Sequence, residues 1–458
     1  MKDVLFPVLS FLTDMGAEYG EIRVEKTNKT LITTRDGLVE AVTSAMEAGA
    51  GIRVLVNGAW GFSVSNSLQK EDLKKAAESA FKMAKASSKN IKEPVKLAEV
   101  KAVEDRVGSL AKKDPTQVDI SEKLSNLLEI DKLSFAYDPR IKSVTIRYAD
   151  ISTLETLATT EGTYIEQRKD YVWNYCWVTG EGDGIMASAR DELGTHGYEL
   201  FDLEPPEKIA NRVCKRVVQQ LEAKTPKGGR FPAIIGTDIV GVLAHEALGH
   251  LCEADLTLAG SIIMGKLGQK IASEAVTIYD DALMEEGFGY IKYDDEGVPG
   301  QKTVLIEKGV LVGLMHDRET AAKMGVEPTG NARAQDFRVP PIIRMRNTCF
   351  ERGDYSFEEL LEGIKFGYYL EAFRGGQANL DGTFTVGVQS AFEIVNGEVG
   401  EPVRNLGISG NTLETLMMVD ACGKDFGLEC GRCGKGQSAF VSSGGPHIRV
   451  KEITIGGY

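Results

Sequence analysis

The segment Ala244-His245-Glu246-Ala247-Leu248-Gly249-His250 places two imidazoles and a carboxylate in one short stretch of a chain that has only 5 His. A chance match to such a pattern is on the order of half a percent. Neutral imidazole nitrogens hold zinc, and a neighbouring Glu can take a proton from a metal-bound water, so these are the parts of a hydrolytic metal site. The spacing constrains the backbone. H-E-x-x-H sets its His at i and i+4, about 40° apart around a helix of ~3.6 residues per turn, whereas i and i+5 lie about 140° apart. A regular helix cannot aim both at one ion. The spacing therefore predicts a widened, π-type turn, with Gly249 as the place where the helix loosens at least steric cost.

The flanks suit such a helix. Phe231-Pro-Ala-Ile-Ile-Gly236 reads as a short buried strand, Thr237 or Asp238 as an N-cap, and Ile239, Val240, Val242 and Leu243 as an apolar helix start. The rival reading is a buried helix with two satisfied core histidines.

With 458 residues, 42% of them hydrophobic, the chain can bury large cores and is expected to form two domains. A net charge of −14, without any Lys/Arg-rich block, argues against nucleic acid as a main ligand. No apolar run is long enough for a transmembrane helix. Val4-Leu-Phe-Pro-Val-Leu-Ser-Phe-Leu12 reads as part of an amphipathic first helix, because Asp3 stands where a signal peptide needs a basic flank. Seven dispersed cysteines do not form a disulfide framework and fit a reducing cytoplasm; Cys176, Cys214 and Cys349 read as core residues.

The fold class expected is α+β: an N-terminal domain of mixed helix and antiparallel sheet over 1–203, then a strand-rich domain over 204–458 that carries the zinc helix. The first helix is placed at about 3–17, others at about 67–87, 118–135 and 209–223. Strands are read at 21–25, 30–34, 51–56, 59–64, 142–150, 154–159 and 163–179, then at 300–306, 310–315, 383–389 and 392–395. Asn57-Gly58 and Asn396-Gly397 mark hairpins, and Glu204-Pro205-Pro206 marks the boundary.

Two His do not complete a catalytic zinc site, which normally has three protein ligands and an open position. His196, His316, His447, Glu253, Asp255 and the cysteines are candidates. Cys430 and Cys433 lie in Gly427-Leu-Glu-Cys-Gly-Arg-Cys-Gly-Lys-Gly-Gln437, read as a polar glycine-rich loop in which Arg432 and Lys435 favour thiolate. Taken alone, this C-x-x-C is a redox pair or half of a structural zinc site.

Several motifs together resemble the TldD branch of the TldD/PmbA family over nearly the full length. They are His245-Glu246-x-x-x-His250, Cys433-Gly-Lys-Gly-Gln437, Gly444-Gly-Pro446, Ile455-Gly-Gly457, Gly49-Ala-Gly-Ile-Arg53, Gly61-Phe62, Asp294-Asp-Glu-Gly-Val-Pro-Gly300, Pro328-Thr-Gly-Asn331, Asn347-Thr348 and Gly375-Gly-Gln377. The resemblance implies a zinc metallopeptidase acting on peptides and unfolded proteins, with His245, His250 and Cys433 as zinc ligands and Glu246 as the catalytic carboxylate. It also implies pairing in a homodimer or with a TldE/PmbA-type chain, which lacks the zinc motif. The family loop is C-G-K-x-G-Q; here it is one residue shorter, which keeps Cys430 as the alternative to Cys433. Glu253 and Asp255 are either acceptors that orient the His rings or solvated helix-end acids. Gly375, Gly376 and Gly387 either leave a sheet edge open to an extended peptide or mark bulges. The competing functions are a peptide-binding subunit without turnover, a thiol redox protein using Cys430 and Cys433, and a closed structural zinc site.

Overall fold

The computed structural model describes residues 1–457 and is an α+β protein with a strand-rich C-terminal part. Its first half is organised by long strands, Tyr19–Arg35 and Leu38–Val56 among them, paired antiparallel almost without interruption. The segments expected at 21–25 and 30–34 are one strand, as are those at 142–150 and 154–159, because polar residues between them lie on a ladder paired from both sides. Two-residue turns join these strands. Asn57-Gly58 and Asn396-Gly397 both have positive φ at both positions, as their hairpin signal predicts. Asp36-Gly37, Asp183-Gly184 and Lys308-Gly309 make the same turn.

The N-terminal sheet runs in the order 59–65, 38–56, 19–35, 141–159, 164–182, 104–107, with Ile185–Thr195 also pairing 164–182. One face is covered by helices. Lys2–Asp14 buries Leu5, Val8, Leu9 and Leu12 at helical spacing, and Lys70–Ser87 buries Leu73, Ala76, Ala77, Ala80, Phe81 and Ala84. Helices Ile120–Tyr137 and Pro206–Glu222 cover the other end, where Leu127, Ile130, Val213 and Val217 pack on Val144, Ile146 and Val178. The prolines at 205 and 206 end one short helix and start the next, and the chain passes into the other sheets only after Glu222.

The C-terminal part holds two more large sheets and a short pair, Ala332–Arg333 with Ile342–Ile343. One large sheet is a ring in which 366–378 pairs with both 229–235 and 383–395, closing through 448–457 and 406–411. The other runs 310–311, 302–307, 278–281, 347–350, 438–445, 427–434. Cys430 and Cys433 therefore lie on an edge strand, Gly427–Gly434, and not in a loop; its register with Ser438–Gly445 is unbroken.

The uncovered face of the N-terminal sheet meets the C-terminal part through buried charge. Arg23 Nη1 lies 3.1 Å and Lys169 Nζ 3.0 Å from the Asp295 carboxylate, and Arg53 Nη2 donates to Glu296 at 2.6 Å. Burial pushes the Asp295 carboxyl up, but the charges of Lys169 and Arg23 outweigh it and hold the group well below the usual carboxylate range.

Helix Lys70–Ser87 sits so close to the sheet that a Cβ on Gly61 would stand 1.9 Å from the Ala80 carbonyl oxygen. Gly61→Ala is expected to lower stability by about 1–3 kcal/mol or more, since backbone must move. An unchanged midpoint in urea would show that this helix is not fixed where described.

Candidate metal centre

After strand Gly229–Ile235 the chain turns into helix Thr237–Val242, capped by Gly236 rather than by Thr237 or Asp238. Asp238 instead accepts a bond from the Phe373 backbone N–H at 2.8 Å, tying the helix to strand 366–378. Leu243–Leu248 is a π turn, followed by a 3₁₀ turn at Gly249–Cys252. The widening required by the i, i+5 spacing is present. Gly249 serves a different purpose from the one expected: its φ is −52°, an ordinary helical value, and a Cβ there would lie 2.0 Å from Met345 Sδ. Close approach, not conformational freedom, calls for glycine.

The π turn brings the two rings together with centroids 5.3 Å apart. The Glu246 carboxylate lies 3.9 Å from Nε2 of both His245 and His250. Cys433 arrives from the edge strand, its Sγ 3.2 Å from His250 Nε2. One ligand atom from each of His245, Glu246, His250 and Cys433 lies within 4.8 Å of the others. Donors ~2.0–2.3 Å from one zinc are spaced roughly 3–4 Å apart, so the group is of the right size. Both ring nitrogens of His245 are buried without a hydrogen-bond partner among the described residues, which a metal would relieve. The donor set fits zinc.

Strand geometry separates the two cysteines. Residues three apart on a strand point to opposite faces. Cys430 packs beside Gly194 and Phe288, where burial pushes its thiol well above the usual range. Burial also pushes Cys433 up, but His245 and His250 outweigh it and bring the thiol down to about 4. His250 is shifted the other way. Burial lowers it, and hydrogen bonds to Cys433 and Glu253 raise it to about 10. Without metal the pair is a thiolate and an imidazolium, and metal binding would displace the His250 proton.

Glu253 is fully buried and accepts from His250 Nδ1 at 2.9 Å, which fixes the tautomer that leaves Nε2 free to ligate. Asp255 does not touch either ring. It pairs with Lys435 Nζ at 2.7 Å, and Lys435 also stands 3.2 Å from Glu253. The motif Cys433-Gly-Lys-Gly-Gln437 is now readable part by part. Lys435 balances the buried Glu253 and the half-exposed Asp255. Gly436, at φ +68°, makes the turn back into strand Ser438–Gly445. Gln437 anchors the turn by accepting from the Gln335 backbone N–H and donating to the Pro340 carbonyl.

The centre opens into a cleft of about 1130 Å³ lined by His245, Glu246 and Cys433 together with residues of both halves of the chain. His447 lines it too, bonded to Tyr369, whereas His316 pairs with Thr320 and His196 with the Asp170 carbonyl. Gly375 and Gly376 line the cleft, but Gly387 is paired on both sides and offers no edge. Sequence reasoning does not flag Trp173 and Tyr175, which reach the cleft from the N-terminal sheet. Their signal is strict alternation with Val172, Asn174, Cys176 and Val178.

A polypeptide with this centre and these three large sheets has clear relatives. Domain models of the PmbA/TldA metallopeptidases match residues 20–84, 113–221 and 228–457 as domain 1, central domain and C-terminal domain. The chain belongs to the TldD/PmbA family. A metalloprotease of Methanothermobacter thermautotrophicus is 39% identical over 99% of both chains, and a zinc metalloprotease TldD homolog of Saccharolobus solfataricus is 34% identical over 99% of this chain and 100% of its own. The crystal structure of TldE from Thermococcus kodakarensis shares the fold, with a TM-score of 0.79 at 23% identity over 99% of this chain and 100% of that one.

Glu253→Gln keeps the shape of the side chain but removes the charge that faces His250. Zinc affinity is expected to fall ~10–100-fold, as for other partners of ligating histidines. Competition against a chromophoric chelator measures it, and an unchanged affinity would make Glu253 a structural residue only.

Proposed function

We propose that this chain is a zinc-dependent metallopeptidase that hydrolyses peptide bonds in peptides or unfolded proteins. The observation that carries the reading is the convergence of His245, His250, Cys433 and Glu246, with all but His250 lining one cleft. His245, His250 and Cys433 would hold the metal, and Glu253 would keep His250 in its ligating tautomer. Zinc bound there supplies Lewis acidity toward a scissile carbonyl and lowers the pKa of a water toward ~7. Glu246, about a third exposed and facing both rings, takes the proton from the attacking water and returns it to the leaving amine. Cleft walls from two parts of the chain hold the substrate extended over the centre, and the Gly375-Gly376 stretch leaves room for its backbone.

The rival readings lose support on specific grounds. Cys430 and Cys433 point to opposite faces of one strand, which a redox disulfide cannot use without moving backbone. A closed structural site would not open three of its four side chains to a cleft. A subunit that only binds peptide has no need of His245, Glu246, His250 and Cys433 brought within 4.8 Å of one another. Pairing with a second chain, identical or of TldE type, belongs to the same reading, and the fold shared with TldE makes such a pair of similar chains reasonable. Seven free thiols suit a reducing, cytoplasmic setting, and no helix among the described residues is long and apolar enough to cross a membrane.

Glu246→Gln should leave zinc occupancy near normal and slow hydrolysis of an unfolded substrate by at least ~10²–10⁴-fold. Retained metal with undiminished activity would place the proton transfer elsewhere, and lost metal would make Glu246 a ligand. Purified protein should carry about one zinc per chain. Cys433→Ser should lose the metal while Cys430→Ser keeps it; the reverse pattern would reassign the third ligand.

A further inference from the structure

We propose that Trp173, Tyr175 and Trp177 form a substrate-binding wall that takes large apolar and aromatic side chains of an extended peptide. This rests on the peptidase reading and adds a substrate class to it. The three rings stand on one face of strand Tyr164–Gly182, alternating with Val172, Asn174, Cys176 and Val178, all of which are buried beneath the helices. Successive rings stack, Trp173 on Tyr175 at 5.7 Å and 23° and Tyr175 on Trp177 at 6.4 Å and 26°. The indole N–H groups of both tryptophans are already satisfied. Trp173 Nε1 donates to Glu192 at 2.9 Å and Trp177 Nε1 to Thr179 at 3.2 Å. What remains is a rigid row of half-buried ring faces, and Trp173 and Tyr175 open into the same cleft as Glu246 and Cys433.

Two features point to a polypeptide as occupant. At about 1130 Å³ the cleft exceeds the ~300–1,000 Å³ of ordinary small-molecule pockets. Aromatic rows flanked by arginine, here Arg147 opposite Tyr175 and Arg190 opposite Trp177, also stack nucleic-acid bases. However, the cleft is lined by seven acidic and seven basic side chains, and Arg190 and Arg212 are already paired with Glu192 and Asp191. Such a balance gives a phosphate chain no net attraction and suits a neutral backbone with apolar side chains. The wall stands beside the centre and not in it, so it would select which stretch of an unfolded chain is held over Glu246.

Binding can be read without hydrolysis, in zinc-loaded full-length Glu246→Gln protein. The probes are two labelled peptides of about twelve residues, one with Phe at every second position among Ser, Thr and Gly, so that an extended chain turns them to one face, the other with Ser replacing each Phe. Anisotropy should show the Phe peptide binding roughly tenfold tighter or more, as expected for several aromatic contacts. Trp173→Ala and, separately, Tyr175→Ser should abolish that preference, while Trp173→Phe keeps most of it, with melting temperature and zinc content reporting the fold of each. Equal affinities for the two peptides, or a preference that survives both variants, would overturn the wall. So would tight binding of oligo-dT that Trp173→Ala abolishes, or a dimer that Trp173→Ala turns into monomer, since the face would then belong to another occupant. The two readings fail separately. A bound Phe peptide that wild-type protein never cleaves refutes hydrolysis alone, and cleavage of both peptides with equal affinity refutes the wall alone.

Discussion

Charges buried between the N-terminal sheet and the turn Asp294–Gly297 fix how the two parts of the chain meet. An unpaired carboxylate in such a place costs several kcal/mol, so Asp295 and Glu296 must find Arg23, Lys169 and Arg53 or the interface does not close. The side chains of all five are largely buried, Lys169 being the most exposed at 18%. Pairing of this kind tolerates little sliding, because each charge has a designated partner. The sheet that supplies these charges also supplies Trp173, Tyr175 and Arg190, so the geometry of the docking sets the width of the cleft above the metal centre.

Beneath that roof, the centre is assembled from distant parts of the sequence by two rigid elements. The helix brings three of the four groups, and the edge strand brings Cys433. Polar groups behind them are linked in series: His250 bonds to Glu253, Glu253 is balanced by Lys435, and Lys435 by Asp255. Lys435 lies two residues from Cys433, so the turn that follows the thiol's strand delivers the counter-charge for the histidine's support. Such coupling lets one short motif hold both the thiol and the orientation of its neighbour.

Much of this was legible in the sequence. The i, i+5 spacing of His245 and His250 demands a widened turn whatever the fold, and the hairpin signals at Asn57-Gly58 and Asn396-Gly397 act over two residues, independent of tertiary context. Helices with clear apolar periodicity, such as 70–87, were readable for the same reason. What escaped depends on long-range packing. Gly427–Gly434 looks like a loop because glycines dominate it, and only pairing with Ser438–Gly445 makes it a strand. The role of Gly249 could not be seen because Met345 is far away in sequence. Nor could the choice between Glu253 and Asp255 be read, since both follow His250 closely and only burial separates them. The aromatic row had a period-two signal, but nothing local says which face of a sheet will stay uncovered.

The π turn has a further consequence. The apolar pairs Ile239-Val240, Leu243-Ala244, Ala247-Leu248 and Leu251-Cys252 are all buried, and they recur every four residues. An ordinary helix of ~3.6 residues per turn would drift about 40° with each pair and carry the last of them out of the core. The π turn Leu243–Leu248 winds more slowly and brings Ala247-Leu248 back toward the phase of Leu243-Ala244. The widened geometry is thus written twice, once in the histidine spacing and once in the packing beneath it, and the second inscription needs no ion. Apolar packing thus supports the widened turn that brings His245 and His250 together, independently of any ion.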